Sequence, residues 1–290
     1  MRSASAPVVV PAALVGLALG LTGCSTTLST VQPAEPMRPG HVQAQGGFNV
    51  NIPASRIFDA VDETATLTGR YASDPSYVPT EDDQRRALGA AVGLGLASPG
   101  PNPDLMLRVG VLRNLDVGAR WSGIAAHGDV KYRFLRTKET PAGVEPDSGE
   151  DDPGFQGAFS VGLSKSLYSG FVFDALEFLK LDDYSRWNLE LPVIFGKRLS
   201  SFGHVWFGPK YVYSHYTVDA SLLNVAIVNE TSGSIHHLGA FGGAAFGYKF
   251  IFAYAELTAA YMIAKPEILG RETDLGGLVI VPSFGLMLRL

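Results

Sequence analysis

Cysteine is almost absent. The 290-residue chain has only Cys24, which rules out an intramolecular disulfide and a thiolate metal cluster. Long apolar runs are missing as well. After the N-terminus none reaches the roughly 20 residues that a transmembrane helix needs, so any passage through a membrane has to be made by strands closed into a barrel. Charge is sparse at 18%, and a net charge of −5 with no clustered basic face excludes nucleic-acid binding. Glycine, in contrast, is plentiful at 33 residues, and 46% of the chain is hydrophobic, with a mean hydropathy of +0.14. That is too apolar for a disordered chain and too rich in glycine for a helical bundle.

The clearest pattern lies between His236 and Ala264. Leu238, Ala240, Ala244, Phe246 and Tyr248 form an apolar row, opposite His237, Gly239, Gly243, Gly247 and Lys249, with Phe241 as the exception. The chain reverses at Phe250 and Ile251, and Ala253, Ala255, Leu257, Ala259, Tyr261 and Ile263 then form a second apolar row opposite Tyr254, Glu256, Thr258 and Met262. Strands this long exceed the usual globular length of about 5–6 residues. They match the roughly 9–11 tilted residues that cross a bilayer. The expectation is a transmembrane hairpin with His237, Lys249 and Glu256 facing a lumen and Phe246, Leu257 and Tyr261 facing lipid.

The same period of two recurs along the chain. It is read in Val42–Asn51, Leu105–Leu112, Leu115–Ser122, Gly128–Phe134, Phe155–Ser166, Trp187–Lys197, Val205–Tyr216 and Leu278–Leu290. In Gly128–Phe134 one face carries Asp129, Lys131 and Arg133, and the other carries Val130, Tyr132 and Phe134. Tight reversals are expected at Arg113-Asn114 and at Ser200–Gly203. Residues 53–103 read as a helical insertion: Ala54–Thr68 has helical spacing, and a second helix starts after the capping Thr80, with Glu81, Asp82 and Asp83 in its first turn. A strand over Ala87–Ala97 is the rival, because Gly89, Gly93 and Gly95 are poor helix residues. Arg136–Pro153 and Val218–Gly233 read as loops, and Phe171–Leu181 as a short amphipathic helix.

Residues 1–23 have the parts of an export signal: Arg2, an apolar core from Val8 to Leu21, then small residues. The segment ends Leu21-Thr22-Gly23-Cys24, which resembles the lipobox of bacterial lipoproteins. The resemblance implies a covalent diacylglycerol and an N-acyl lipid, typically palmitate, on Cys24, and no other cofactor. Ser25 after the cysteine implies passage to the outer membrane. Residues 24–41, a polar run followed by Pro33, Pro36 and Pro39, read as a flexible lipidated tether.

From residue 42 to 290 the chain resembles small bacterial outer-membrane β-barrel proteins, most clearly in the strand, turn and strand of Arg108-Val109-Gly110-Val111-Leu112-Arg113-Asn114-Leu115-Asp116-Val117-Gly118. The fold expected is an all-β antiparallel transmembrane barrel of about ten strands, within a range of about 8–12. An even count returns both ends of the barrel to the periplasmic side, which suits an anchor in the inner leaflet. The expected partners are outer-membrane lipids, the envelope assembly machinery and a small ligand or solute in the lumen. The residues expected to line that lumen are Arg108, Arg120, Asp129, Lys131, Arg133, Arg186, Glu190, Lys210, His237, Lys249, Glu256 and Arg289, with Asp116 beside them.

Such a lining fits either a narrow anion-preferring pore or an internal salt-bridge network that plugs the barrel. The second is preferred because a barrel near this size leaves little room beyond its own side chains. A lipid-modifying hydrolase is the remaining alternative. His237 and Ser283 both point inward and His215 lies near a rim, but no local motif joins them as a triad. No metal site is expected from His236-His237, because neighbours on a strand point to opposite faces. The functional expectation is a lipid-anchored outer-membrane barrel, more readily non-enzymatic than enzymatic, with a structural, permeability or ligand-binding role at the cell envelope.

Overall fold

Alternating apolar and polar residues produce strands with two unlike faces, and such strands bury one face only when the sheet curls. In the computed structural model, which describes residues 28–54, 66, 80–96, 100–123, 125–145, 151–166, 179–222, 225–268 and 270–290, the sheet closes completely. Ten antiparallel strands form the barrel: β1 (Val42–Ala54), β2 (Gly100–Leu112), β3 (Leu115–Ser122), β4 (Ala125–Arg136), β5 (Phe155–Ser166), β6 (Leu179–Leu199), β7 (Gly203–Leu222), β8 (Val225–Tyr248), β9 (Ile251–Ala264) and β12 (Gly277–Arg289). A small hairpin, β10 (Glu267–Ile268) and β11 (Arg271–Glu272), lies outside the wall. The seam pairs β1 with β12, Gln43 opposite Arg289 and Asn49 opposite Ser283, so the barrel has no free edge.

The outside of the wall is apolar. Along β9 exposure alternates at every residue: Leu257 and Tyr261 are 54% and 56% exposed, while Glu256 and Met262 are buried. The same holds for Leu107, Phe134, Leu163, Phe207, Phe246 and Leu286 around the circumference. Two aromatic rows bound this belt. Phe134, Phe155, Phe195 and Phe207 touch one another near the rim where β1 begins. Trp121 and Trp187 sit toward the other rim, and the Lys165 ammonium lies 4.9 Å from the Trp187 ring. Trp187 and Phe195 are eight residues apart on β6, about 26 Å along a strand, which at the usual tilt is about 20 Å of height against an outer-membrane apolar band of about 25 Å.

The two rims differ. The rim that holds the ends of the barrel also carries the turns after β2, β6 and β8 and the loop of residues 137–154. The opposite, far rim carries the β3–β4 turn, the β9–β12 connection and the 55–99 insertion. In that insertion only α1 (Glu81–Leu96) is described at length; it is capped by Thr80, whose hydroxyl accepts from the Asp83 N–H. The first expected helix of the insertion lies outside the described residues apart from Ala54 and Thr66; the expected bounds of 53–103 are corrected, because Pro53 and Ala54 end β1 and residues 100–103 begin β2.

Two expectations are corrected at the far rim. Residues 218–233 are largely strand rather than loop, because β7 runs on to Leu222 and β8 starts at Val225. The expected helix over residues 171–181 lies mostly outside the described residues, but Leu179–Leu181 already belong to β6. Residues 218–233 lack the sustained apolar–polar alternation that marks the other strands in the sequence. The loop at residues 136–153 is also better tied than a solvated excursion. The Arg136 guanidinium donates to both Asp151 oxygens at 2.7 and 2.8 Å, and Lys138 pairs with Asp152. The Lys138 ammonium and the Gly154 N–H hold the Asp152 carboxyl below the usual carboxylate range.

Candidate functional site

The inward rows of ten strands place a concentrated set of charges in the barrel, and the structure pairs them across neighbouring strands. Arg108 on β2 donates to Asp116 on β3 and, at 2.8 Å, to Asp129 on β4; Lys131 lies 3.2 Å from Asp116, and the Ser160 hydroxyl donates to Asp129 at 2.9 Å. Arg120 on β3 pairs with Asp104 on β2, its Nε donating at 2.6 Å. Lys210 lies 2.7 Å from Glu190. Toward the far rim Arg186 donates to Asn188 and Ser214, and Asn188 in turn to Ser164. A charge taken out of water has to be paired or hydrogen-bonded, and this lattice meets that demand.

Arg108, Arg120, Asp129, Lys131, Arg133, Arg186, Glu190, Lys210, His237 and Glu256 are all buried at inward positions, and Arg289 is part-buried at the rim. Lys249 is a correction. It occupies the β8–β9 turn with φ of 57°, where strand parity no longer applies, and its exposed ammonium lies over the Tyr248 ring. Some inward residues were not anticipated: Trp206, Tyr216 and Ile194 are fully buried in the lumen. Phe241 joins them, so the aromatic that broke the small and polar row of β8 has a packed place inside, with Ile235 and Ala245 of the same row also buried.

The larger surprise is that the lumen is occupied by the chain itself. Residues 28–37, expected to be part of a flexible tether, run through the barrel as a buried strap. Their polar backbone is met by side chains of the wall. Glu256 accepts the N–H groups of both Thr30 and Val31 at 2.6 Å, and also the Trp206 indole N–H at 2.7 Å. The cations serve the carbonyls: Lys210 donates to Leu28 and Ser29, Arg120 to Ser29, and Lys131 to Pro33 and Glu35. The Gln45 amide donates to Val31, and the Met37 N–H donates to Asp116. Glu35 is held among Arg198, His204 and Arg289 at the rim.

The strap has a period of three. Leu28, Val31, Ala34 and Met37 recur at that spacing, as do Pro33, Pro36 and Pro39, and the carbonyls of Leu28, Ser29, Val31, Pro33 and Glu35 are met by donors from the wall. Val31 and Ala34 pack with Trp206, Phe241, Phe252, Tyr254 and Met287. Val31 has φ of 45°, a strained value for a β-branched residue, and its geometry turns two successive N–H groups toward one carboxylate. Where the strap leaves the lumen it crosses β2 at Gly110, whose N–H donates to His41. A Cβ there would stand 2.0 Å from the Arg38 carbonyl oxygen, so only glycine allows the crossing.

Replacing Glu256 with alanine removes the acceptor shared by Thr30 and Val31, and each buried N–H left without a partner costs about 1–3 kcal/mol. Amide exchange at Thr30 and Val31 should therefore rise about tenfold or more while the strands keep their protection. Unchanged exchange at both amides would show that the strap is held by something else.

The hydrolase geometry is not assembled. His237 is registered opposite Met262, and Ser283 opposite Glu256, six residues away along β9, about 20 Å. His215 points outward and is exposed. Nor is there room for a substrate at mid-barrel: the cavity bounded by Ser29, Arg120, His127, Glu190 and Lys210 measures about 10 Å³, no more than a water requires. Among the described residues, two larger spaces lie at the rims. One of about 170 Å³ is bordered by Glu35, Arg198, His204 and Arg289, and one of about 360 Å³ at the far rim by Ser232, Ser234, His236, Lys265 and Glu272.

No family model and no curated protein matches the chain. Among solved structures it is similar to Ail, the attachment invasion locus protein of Yersinia pestis, with 9% identity, 87% of this chain and 99% of that one covered, and a TM-score of 0.30. It is similar to Neisserial surface protein A at 10% identity, with 86% and 95% covered and a TM-score of 0.32. It is also similar to the outer-membrane protease OmpT of Escherichia coli at 8% identity, with 91% and 100% covered and a TM-score of 0.41.

Proposed function

We propose that this chain is a lipid-anchored outer-membrane β-barrel that does not conduct, and that serves a structural or ligand-binding role at the envelope through its rims. The observation that carries this reading is the strap of residues 28–37, which fills a lumen already crossed by paired charges and leaves about 10 Å³ at mid-height. The outer-membrane address is supported by the closed wall, its exposed apolar belt and its two aromatic rows. The lipid anchor is supported by Leu21-Thr22-Gly23-Cys24. The rim cavities of about 170 and 360 Å³ offer a ligand space.

The test is a planar-bilayer recording of the purified, refolded protein. No steady single-channel current is expected at physiological salt. A steady anion-selective conductance would overturn the occluded reading in favour of a pore lined by Arg120, Lys131 and Lys210.

A further inference from the structure

We propose that the chain passes through its own barrel, so that Cys24 and its lipid emerge at the far rim, over the lip between β3 and β4, and not at the rim where β1 begins. The proposal rests on the lipid-anchor reading above for the lipid, and on the strap alone for the direction.

The strap climbs the lumen without turning back. Met37 is bound at Asp116, one residue into β3, and Glu35 at Arg289, the last residue of β12. Thr30 and Val31 are bound at Glu256, five residues into β9, and Leu28 at Lys210, seven residues into β7. Ser29 is bound at Arg120, which stands only two residues before the far end of β3. Its N-terminal end is therefore the end nearest the far rim.

The wall is lowest at that point. At eight residues β3 is the shortest strand of the barrel, and it ends in a tight turn where Gly123 takes φ of 55°. From Arg120 to the end of β3 is about 7 Å. Five residues from Ser29 to Cys24 reach at most about 18 Å, which clears the lip. Return to the starting rim would mean passing back along Val31, Ala34, Trp206 and Phe252, which are packed together and buried. Outside the lip Trp121 is 50% exposed and marks the level of the membrane interface, where acyl chains emerging over the turn would meet lipid.

The experiment uses whole cells and a membrane-impermeant maleimide. In the otherwise native chain Cys24 is blocked by its thioether, so Thr26→Cys supplies the only free thiol near the N-terminus. Arg271→Cys in the far-rim hairpin and Ala142→Cys in the 137–154 loop mark the two sides. Labelling of Thr26→Cys on intact cells, together with Arg271→Cys and unlike Ala142→Cys, is the expected result. Labelling only after permeabilisation or only after unfolding would overturn the proposal. The mass of the N-terminal peptide is measured separately, so an unlipidated N-terminus on the labelled side would sink the anchor while leaving the direction of the strap intact.

Discussion

Arg108→Met is expected to destabilise the barrel by about 3–5 kcal/mol, because it leaves two buried carboxylates without their shared cation. Arg108 is fully buried, donates to both Asp116 and Asp129, and has no water-facing route for relief. Lys131 compensates only Asp116, which it already touches at 3.2 Å. The double variant Arg108→Met, Asp129→Asn removes one charge of each sign, leaves Lys131 paired with Asp116, and should recover most of the loss. The urea midpoint of the refolded protein, followed by tryptophan fluorescence and by the shift of unboiled samples on gels, measures both. A loss below about 1 kcal/mol would mean that water reaches this layer, and the lumen would have to be redrawn as wet.

Leu257→Arg is expected to cost about 2–4 kcal/mol of folding into bilayers, the price of an arginine on the lipid side at mid-depth. The neighbouring Glu256 carries a charge at almost the same height and is stabilising, since it points the other way and accepts four donors, Thr258 among them. The contrast isolates direction from depth. Folding of Leu257→Arg into vesicles at wild-type yield and wild-type urea midpoint would mean that this face does not meet lipid.

The wall was legible because its two solvents differ. Each strand separates a polar lumen from an apolar outside, and the period of two in Gly128–Phe134 or in Ile251–Ala264 records that difference at every residue. Legibility fails where the contrast vanishes. The far-rim stretches of β6, β7 and β8 lack a sustained apolar–polar alternation and read as loop or helix. Trp206 is apolar yet inward, and hydropathy cannot distinguish a ring that fills a lumen from one that faces lipid. Parity on β8 already placed Phe241 inside, opposite the lipid-facing Leu238 and Phe246, but without a partner in view it could only be recorded as an exception.

The strap was illegible for a different reason. Its binding partners are remote, Glu256 lying 226 residues from Thr30 and Lys210 lying 182 from Leu28, so no local window contains them. Composition alone, a polar run with Pro33 and Pro36, describes a tether. The spacing of three shared by Leu28, Val31, Ala34 and Met37 was the available sign that one side of this segment packs against something. The excess of inward cations was another, since Arg120, Lys131 and Lys210 each turned out to serve strap carbonyls as well as a carboxylate.

The seam between β1 and β12 acquires a kinetic meaning from what it encloses. Once Gln43 pairs with Arg289 and Ala54 with Leu278, the wall is continuous and the strap inside can no longer enter sideways. After closure the strap can enter or leave only along the barrel axis, past the packed Val31, Ala34, Trp206 and Phe252. Contacts of such long sequence separation are slow to form, which makes seam closure the late step. A chain lacking the strap would leave Glu256 with Trp206 and Thr258 and Lys210 with Glu190, but would close over a lumen with the strap's volume missing.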